Sequence, residues 1–432
     1  MKLDDSTRAS RLNTSRWLHA SLVLIALLAA EIGGAQALEA ARWKQDLAYL
    51  KAELPKRHKN LFHTVSRPAF EQALSTLEQK LDTMTDLQIR FALMQIVASV
   101  GDAHTTVVMV GDDLHRFPLE FWSFHDGIYL LAAPSEYRSA IGSRLIAIND
   151  TAIAQVESAL AKLSSCENEP CRKEQLPRWL SYAEYLESQQ IIDSTEGARF
   201  TFQRSDNPAF TLQVKARPAS ERGAPLIAVT VAPSPLPHQL WLKNQNLPYW
   251  YEYVPDARLL YVAFNKCRDD KSQPFDALQR DVLEIADTKP VDRFVVDLRR
   301  NDGGSEAVLR PLIRAIARRP ALNRRGTLFA LIGKRTFSSA ASNAISFKEW
   351  TEATLVGEGT GQKPNSYGEV RQLSLPNSGL VINYSTKFWR RVDGDPVTLV
   401  PDVPVEQTFA KFAAGIDAAM AAVLSHIDTA SQ

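Results

Sequence analysis

Two serines, Ser338 and Ser339, stand in GKRTFSSAASNAISFKEW (residues 333–350), where the apolar run GTLFALI gives way to small and apolar residues at helical spacing. A serine at the N-terminal end of a helix can act as a nucleophile. The helix dipole favours developing negative charge, and the next N–H can join an oxyanion hole. The surrounding alanines would leave space for a substrate chain. The competing reading is a helix cap, which is what serine most often does there. Both hold if one serine caps and the other attacks. A second turn, DLRRNDGGSEAVL, carries Gly303 and Gly304 after an apolar run, with Ser305 able to cap the helix that follows. Glycines let the backbone approach a ligand closely, and a helix N-terminus presents unpaired N–H groups, so this turn could hold an oxyanion. Taken alone it reads first as an ordinary strand-to-helix turn. A third turn, GDAHTT, carries His104, a suitable general base near neutral pH. A lone histidine in a turn is more often structural, so its weight depends on what brings it near a serine. No GxSxG is present, which removes the α/β-hydrolase elbow. GEGTGQK (357–363) is no phosphate loop, because no glycine directly precedes Lys363 and Pro364 stands where Ser or Thr is required.

Three kinds of element must position these turns. Residues 39–100 read as helices: Trp43, Leu47, Leu50 and Leu54 share one face, and Phe70, Leu74, Leu77 and Leu81 repeat the pattern. Asp86 is the expected cap of a third helix, LQIRFALMQIVASV, which stops at Gly101. Residues 114–217 are rich in strand patterns, with Asn149-Asp150 as a turn, a hairpin turning at 205–208, and an irregular or helical insertion over 166–195. A Pro-rich stretch, APSPLP (232–237), reads as a linker. From about residue 240 strands and helices alternate, which argues for a sheet covered by helices.

With 432 residues, 45% hydrophobic and 23% charged, the chain is globular and long enough for two or three domains. A formal net charge of +1 gives no reason to expect nucleic acid as a partner. The N-terminus has a basic region (Lys2, Arg8, Arg11, Arg16), the apolar run LHASLVLIALLAA and a small-x-small site at Ala35–Ala37, the pattern of a signal peptide cleaved after Ala37. Export to the periplasm or the extracellular space follows. Contact with a membrane is expected only through this segment, were it left uncleaved. Export permits a disulfide, and CENEPC can close a small loop between Cys166 and Cys171. Cys267 is then left as a buried structural thiol. No HExxH and no CxxC is present, and the eight histidines are scattered, so neither metal nor other cofactor is expected.

Taken together these residues resemble peptidase family S41, the tail-specific (C-terminal processing) and tricorn-like proteases. VVDLRRNDGG, GKRTFSSAASNAI, ATLVGEGTG, the closing segments LPNSGLVINYSTKF and LVPDVPVE, and the upstream GDAHTT occur in the family's order over about residues 100–407. The resemblance implies a crotonase-like α/β catalytic core over 241–426. It implies a small PDZ-like β-rich module over 111–220, beside the linker at 221–240, the N-terminal helical segment at 38–110 and the signal peptide at 1–37 that the sequence pattern itself gives. It implies an exported serine-type endopeptidase acting on peptides or unfolded proteins. Ser338 would be the nucleophile, and Ser339 with Gly303 or Gly304 would supply the oxyanion N–H groups. The family uses two bases, and each has a counterpart here. Lys363 falls near the register of the Ser–Lys branch but lacks its surrounding residues, while His104 fits the tricorn-like branch and is favoured. Asp395, shortly before VPD, is a weak positional candidate for a third member; Asp102 reads as a turn-former. The alternative from another class is a non-catalytic peptide- or ligand-binding scaffold on the same fold.

Overall fold

The computed structural model describes residues 38–109, 114–235 and 237–426. The expected signal peptide lies outside these residues. Among the described residues no helix is long and apolar enough to cross a membrane.

The N-terminal helices are Ala40–Arg57, Arg67–Glu78 and Asp86–Ala98. Trp43, Leu47, Leu50 and Leu54 are buried, as are Phe70, Leu74 and Leu77, so the apolar faces legible in the sequence are the packed ones. Burying each such side chain contributes about 1.5–3 kcal/mol. The third helix is capped differently from expectation. Thr85 is the N-cap and forms a capping box with Gln88. Asp86 sits one position inside the helix, and its carboxylate instead accepts Trp43 Nε1–H at 2.7 Å and the Leu38 N–H at 2.9 Å. A tertiary partner claimed the carboxylate, and the adjacent threonine took the cap.

Residues from 120 to 228 form an antiparallel sheet in the order Ile227–Ala228, Gly127–Ala133, Arg144–Ile148, Gly197–Gln203, Phe210–Lys215, with Glu120–Phe124 paired to Gly127–Ala133. The expected hairpin is its last strand pair. Part of the expected linker, Ile227–Ala228, is the strand at its opposite edge. The 166–195 insertion contains the helices Glu169–Trp179 and Ala183–Ser188.

The α/β region is a six-stranded sheet in the order Tyr249–Val254, Leu259–Phe264, Arg293–Asp297, Leu328–Ile332, Thr354–Gly357, Val403–Pro404. The first pair is antiparallel and the others are parallel. Every residue of Leu259–Phe264 and of Leu328–Ile332 is buried, as continuous apolar runs in a covered parallel sheet should be. The helices Phe275–Thr288, Arg310–Ala317 and Ser339–Trp350 pack on one face through Leu278, Val282, Leu312, Ile316, Ala344 and Phe347. The helix Ala418–Ser425 covers the other through Ala419, Met420 and Val423. Its N-cap, Asp417, is tied to the sheet by Arg299, whose guanidinium also grips Asp297.

One further pairing decides the position of the site. The ribbon Ser366–Ser374 with Val381–Trp389 leaves the α/β region and is completed by Thr106–Val107, with Thr106 opposite Asn383. Leu373, Leu375, Leu380 and Ile382 of the ribbon belong to the hydrophobic core of the N-terminal helices and the small sheet. Asp46, fully buried in the first helix, accepts the Asn377 and Ser378 N–H groups of the ribbon turn. The residues on either side of the expected linker therefore share a core, and the segment leaving residue 101 is fastened beside the α/β region.

Candidate active site

Leu328–Ile332 ends at Gly333, and the chain turns through Thr336 and Phe337 into the helix starting at Ser339. Ser338 sits on this turn at φ 53°, ψ −127°, a region that L-residues rarely adopt. Its hydroxyl does not cap the helix. It meets His104 Nε2 at 3.1 Å, across 234 residues of sequence. The Ser338 N–H donates to the side-chain oxygen of Gln362, whose amide in turn donates to Ser366 Oγ. Ser339 Oγ donates to the Gly304 carbonyl at 2.7 Å, locking the helix start onto the glycine turn.

Gly303 and Gly304 have φ of 109° and 132°. A Cβ at Gly303 would lie 2.6 Å from Ser338 Cβ, and one at Gly304 would lie 2.3 Å from the Cys267 carbonyl oxygen. Both close approach and positive φ thus demand glycine at the two positions. The Gly303 N–H is already given to Asn301 Oδ1 at 2.9 Å. Gly304 and Ser339 line the same cavity as Ser338, and the Ser339 N–H at the helix start has no carbonyl one turn back to satisfy it. Neither of these two N–H groups donates to a main-chain carbonyl among the described residues.

His104 is almost wholly buried. Its ring is held by three features: the main-chain N–H bonded to Asp102 Oδ1 at 3.0 Å, the Phe337 ring at 4.8 Å, and Gly368 close behind. Burial holds its pKa below the ordinary imidazole value. The charge of Asp102 and the main chain at Tyr367 act weakly in the other direction. The ring is therefore neutral at neutral pH. With Nε2 facing a hydroxyl, the proton belongs on Nδ1, which is buried without a hydrogen-bond partner and lies 3.9 Å from Asp102 Oδ1. At that distance Asp102 acts on the ring through its charge rather than through a hydrogen bond.

Asp102 itself is fully buried and heavily bonded. His58 Nε2 donates to Oδ2 at 3.0 Å, and Thr105 Oγ1 at 2.6 Å. His58 Nδ1 accepts the Asn60 N–H, which assigns the His58 proton to Nε2. Burial opposes the charge on Asp102, but hydrogen bonds led by His58 outweigh it and leave the pKa lowered to about 2. A residue readable from sequence only as a turn-former is thus a fixed negative charge behind the histidine.

The remaining candidates are placed elsewhere. Lys363 lines the cavity, but its Nζ pairs with Asp395 at 2.7 Å, and no hydrogen bond joins it to Ser338 among the described residues. Asp395 corrects the expectation of a third member: its carboxylate is two-thirds exposed and holds Lys363, not His104. An exposed loop carboxylate finds the nearest cation rather than a buried ring. Cys166 and Cys171 form a disulfide. Cys267 is a buried free thiol whose pKa burial pushes up to about 12, and its backbone anchors the glycine turn through Cys267 N–Gly303 O and Ser305 N–Cys267 O. Sequence reasoning missed His58, Asn301 and Gln362. Asn301 stands inside the NDGG stretch, a visible signal; His58 and Gln362 carry none, because their partners are remote in sequence. No group of three or more His, Cys, Asp or Glu side chains is placed to hold a metal among the described residues.

The cavity over Ser338 has a volume of about 490 Å³. Besides His104, Ser338, Ser339 and Gly304 its lining includes Ile345, Val370, Trp389 and the Glu306–Arg391 ion pair (2.9 Å). Its mixed lining suits a polypeptide, with apolar side chains and a polar backbone.

No protein-family model and no curated protein matches the chain. Solved structures do. Mature CPAF complexed with lactacystin matches at TM-score 0.61 and 14% identity, over 87% of this chain and 96% of that one. Mature CPAF alone matches at TM-score 0.60 and 14% identity, over 87% and 94%. The tricorn protease matches at TM-score 0.42 and 13% identity, over 89% of this chain and 36% of that one. S41-family proteases are among the solved structures that this chain resembles, and the likeness to mature CPAF, one of fold, extends over most of its length.

Proposed function

We propose that the protein is a serine-type endopeptidase of family S41 that hydrolyses peptide bonds with Ser338 as nucleophile and His104 as general base. The 3.1 Å approach of His104 Nε2 to Ser338 Oγ, in a cavity that also presents the Gly304 and Ser339 N–H groups, carries this reading. Ser338 Oγ attacks the scissile carbonyl as its proton passes to His104 Nε2. The carbonyl oxygen becomes an oxyanion facing the N–H groups of Gly304 and Ser339. The imidazolium formed is stabilised by the buried charge of Asp102, and it returns its proton to the leaving amine. Water then attacks the acyl-enzyme, with His104 again as base. Lys363 has no part in the proton transfer, since its ammonium is engaged by Asp395. The chain acts after export, and the antiparallel module of residues 111–220 serves as a PDZ-like site for an extended peptide.

Cleavage of casein, an unfolded protein, tests this. Ser338→Ala and His104→Ala should each lose at least ~10³-fold in kcat, the loss expected when a nucleophile–base pair is broken. Lys363→Ala should stay within a few-fold. A dead Lys363→Ala with an active His104→Ala would reassign the base. A wild-type protein that binds peptides but cuts none would make it a scaffold.

A further inference from the structure

His104 and Ser338 belong to different parts of the chain, and one short loop touches the supports of both. The Cys166–Cys171 disulfide closes that loop over a separation of five residues. On the histidine side, Ser165 Oγ donates to the Thr105 carbonyl at 2.7 Å, and Thr105 both follows His104 and bonds Asp102. On the serine side, Asn168 Nδ2 donates to the carbonyls of Thr360 (3.0 Å) and Val397 (2.8 Å), its orientation fixed because Oδ1 accepts the Cys171 N–H at 3.0 Å. Thr360 Oγ1 donates to the Gln362 carbonyl at 2.9 Å, and Gln362 holds the Ser338 N–H. A Cβ at Gly361 would lie 3.7 Å from Cys171 Cα, so the disulfide turn is in direct contact with the chain that leads into Gln362. Ser165 and Asn168 are both buried.

We propose that the Cys166–Cys171 loop is a redox-dependent positioning clamp: as the disulfide it holds the His104 turn and the Gln362 segment in register across the site, and as the dithiol it releases them. The proposal rests on the peptidase reading above. A dithiol such as dithiothreitol converts one form to the other. Its thiolate attacks one cysteine sulfur and expels the other cysteine as a thiolate; its second thiol, as the thiolate, then attacks the reagent's own sulfur in the mixed disulfide and expels the remaining cysteine, so two protein thiols and one cyclic disulfide result, a transfer of two electrons and two protons. Cys267 is already a free, buried thiol, so dithiothreitol finds only the Cys166–Cys171 bond to reduce. A bridge over so short a loop removes less chain entropy than one closing a long loop, so its effect falls on local geometry more than on global stability. The consequence is a peptidase slowed where thiols are kept reduced and brought to full rate in an oxidising compartment. Asn168 is the positioning residue that transmits the clamp.

The test compares casein cleavage and hydrogen exchange for the oxidised protein, the same protein after dithiothreitol, Cys166→Ser/Cys171→Ser, and Asn168→Ala. Reduction should lower kcat by ~10–100-fold with KM within about twofold, because small displacements of a catalytic pair cost rate rather than binding. Reoxidation should restore it. The double variant should be slow whether or not dithiothreitol is present, and Asn168→Ala slow even when oxidised. Segments 102–107 and 359–363 should exchange faster together in the reduced form. A kcat that survives reduction, or faster exchange confined to 164–171, overturns the clamp. Failure of the oxidised protein to cut casein would defeat the peptidase reading alone. The paired loosening of the two segments, or its absence, would then decide the clamp by itself.

Discussion

The chemistry of Asp102 depends on how many donors surround one carboxylate. Its pKa is lowered to about 2 from 3.8, so it contributes stability that is full above the unfolded value and is lost as pH falls through about 2. That contribution is roughly 2 kcal/mol at neutral pH, by 1.36 kcal/mol per unit. Asp102→Asn should therefore narrow the stability difference between about pH 2 and pH 5, measured by denaturant titration at each pH. Its effect on catalysis is separate. His104 titrates below the ordinary imidazole value, and the base must be neutral, so activity should rise with pH through a limb lying below about 6.5. Removing the Asp102 charge, which supports the protonated ring, should move that limb lower still while kcat falls by ~10²–10⁴-fold. A pH–rate profile of Asp102→Asn with an unmoved limb would show that the charge does not reach the ring.

At the scale of elements, the site is made by turns at strand ends. The glycine turn works because two positions accept positive φ and no side chain. Gly304→Ala would drive a Cβ into the Cys267 carbonyl and displace the N–H proposed as an oxyanion donor; the expected cost is ~1–3 kcal/mol of stability and near-complete loss of activity, read by thermal melting and casein cleavage. Gln362 acts on the adjacent turn. Gln362→Ala frees the Ser338 N–H and removes one side chain of the cavity lining. It should reduce kcat by ~10–100-fold with KM little changed, because it loosens the nucleophile rather than the substrate. Equal losses in kcat and in substrate affinity would mean that the whole loop had collapsed.

At the scale of the molecule, charge is buried where two parts of the chain meet. Glu167 lies in the disulfide loop with Oε2 buried and unpartnered, and burial, aided by the charge of Asp102, pushes its pKa up to about 8. The folded protein keeps this proton between 4.5 and about 8 while the unfolded chain gives it up. Stability is therefore lost as pH rises through that window. Glu167→Gln should raise the melting temperature at about pH 8 and change it little at about pH 4. A variant equally stable at both would place the carboxyl in water. Asp46 joins the first helix to the ribbon through its buried carboxylate, and Asp46→Ala leaves the half-buried N–H groups of Asn377 and Ser378 without that partner; the expected loss is ~1–3 kcal/mol in denaturant unfolding.

Local patterns in the sequence were sufficient for the helical faces at 43–54 and 70–77, the apolar strands of the parallel sheet, the two glycines and the serine turn, because each depends on neighbours within a few residues; Leu81, expected on the second face, is buried beyond the end of that helix. The α/β sheet and the small antiparallel sheet followed from the same periodicity. That the Ser338 hydroxyl leaves the helix start uncapped and meets His104 was not legible, because the contact spans 234 residues of sequence. The role of Asp102 and the placement of Asp395 were equally out of reach. One carboxylate is surrounded by donors from residues 58, 104 and 105, and the other finds a lysine on an exposed loop. Such assignments depend on which distant groups folding brings within about 3–4 Å, where hydrogen bonds and buried charges take effect. Periodicity and turn chemistry carry no record of that distance.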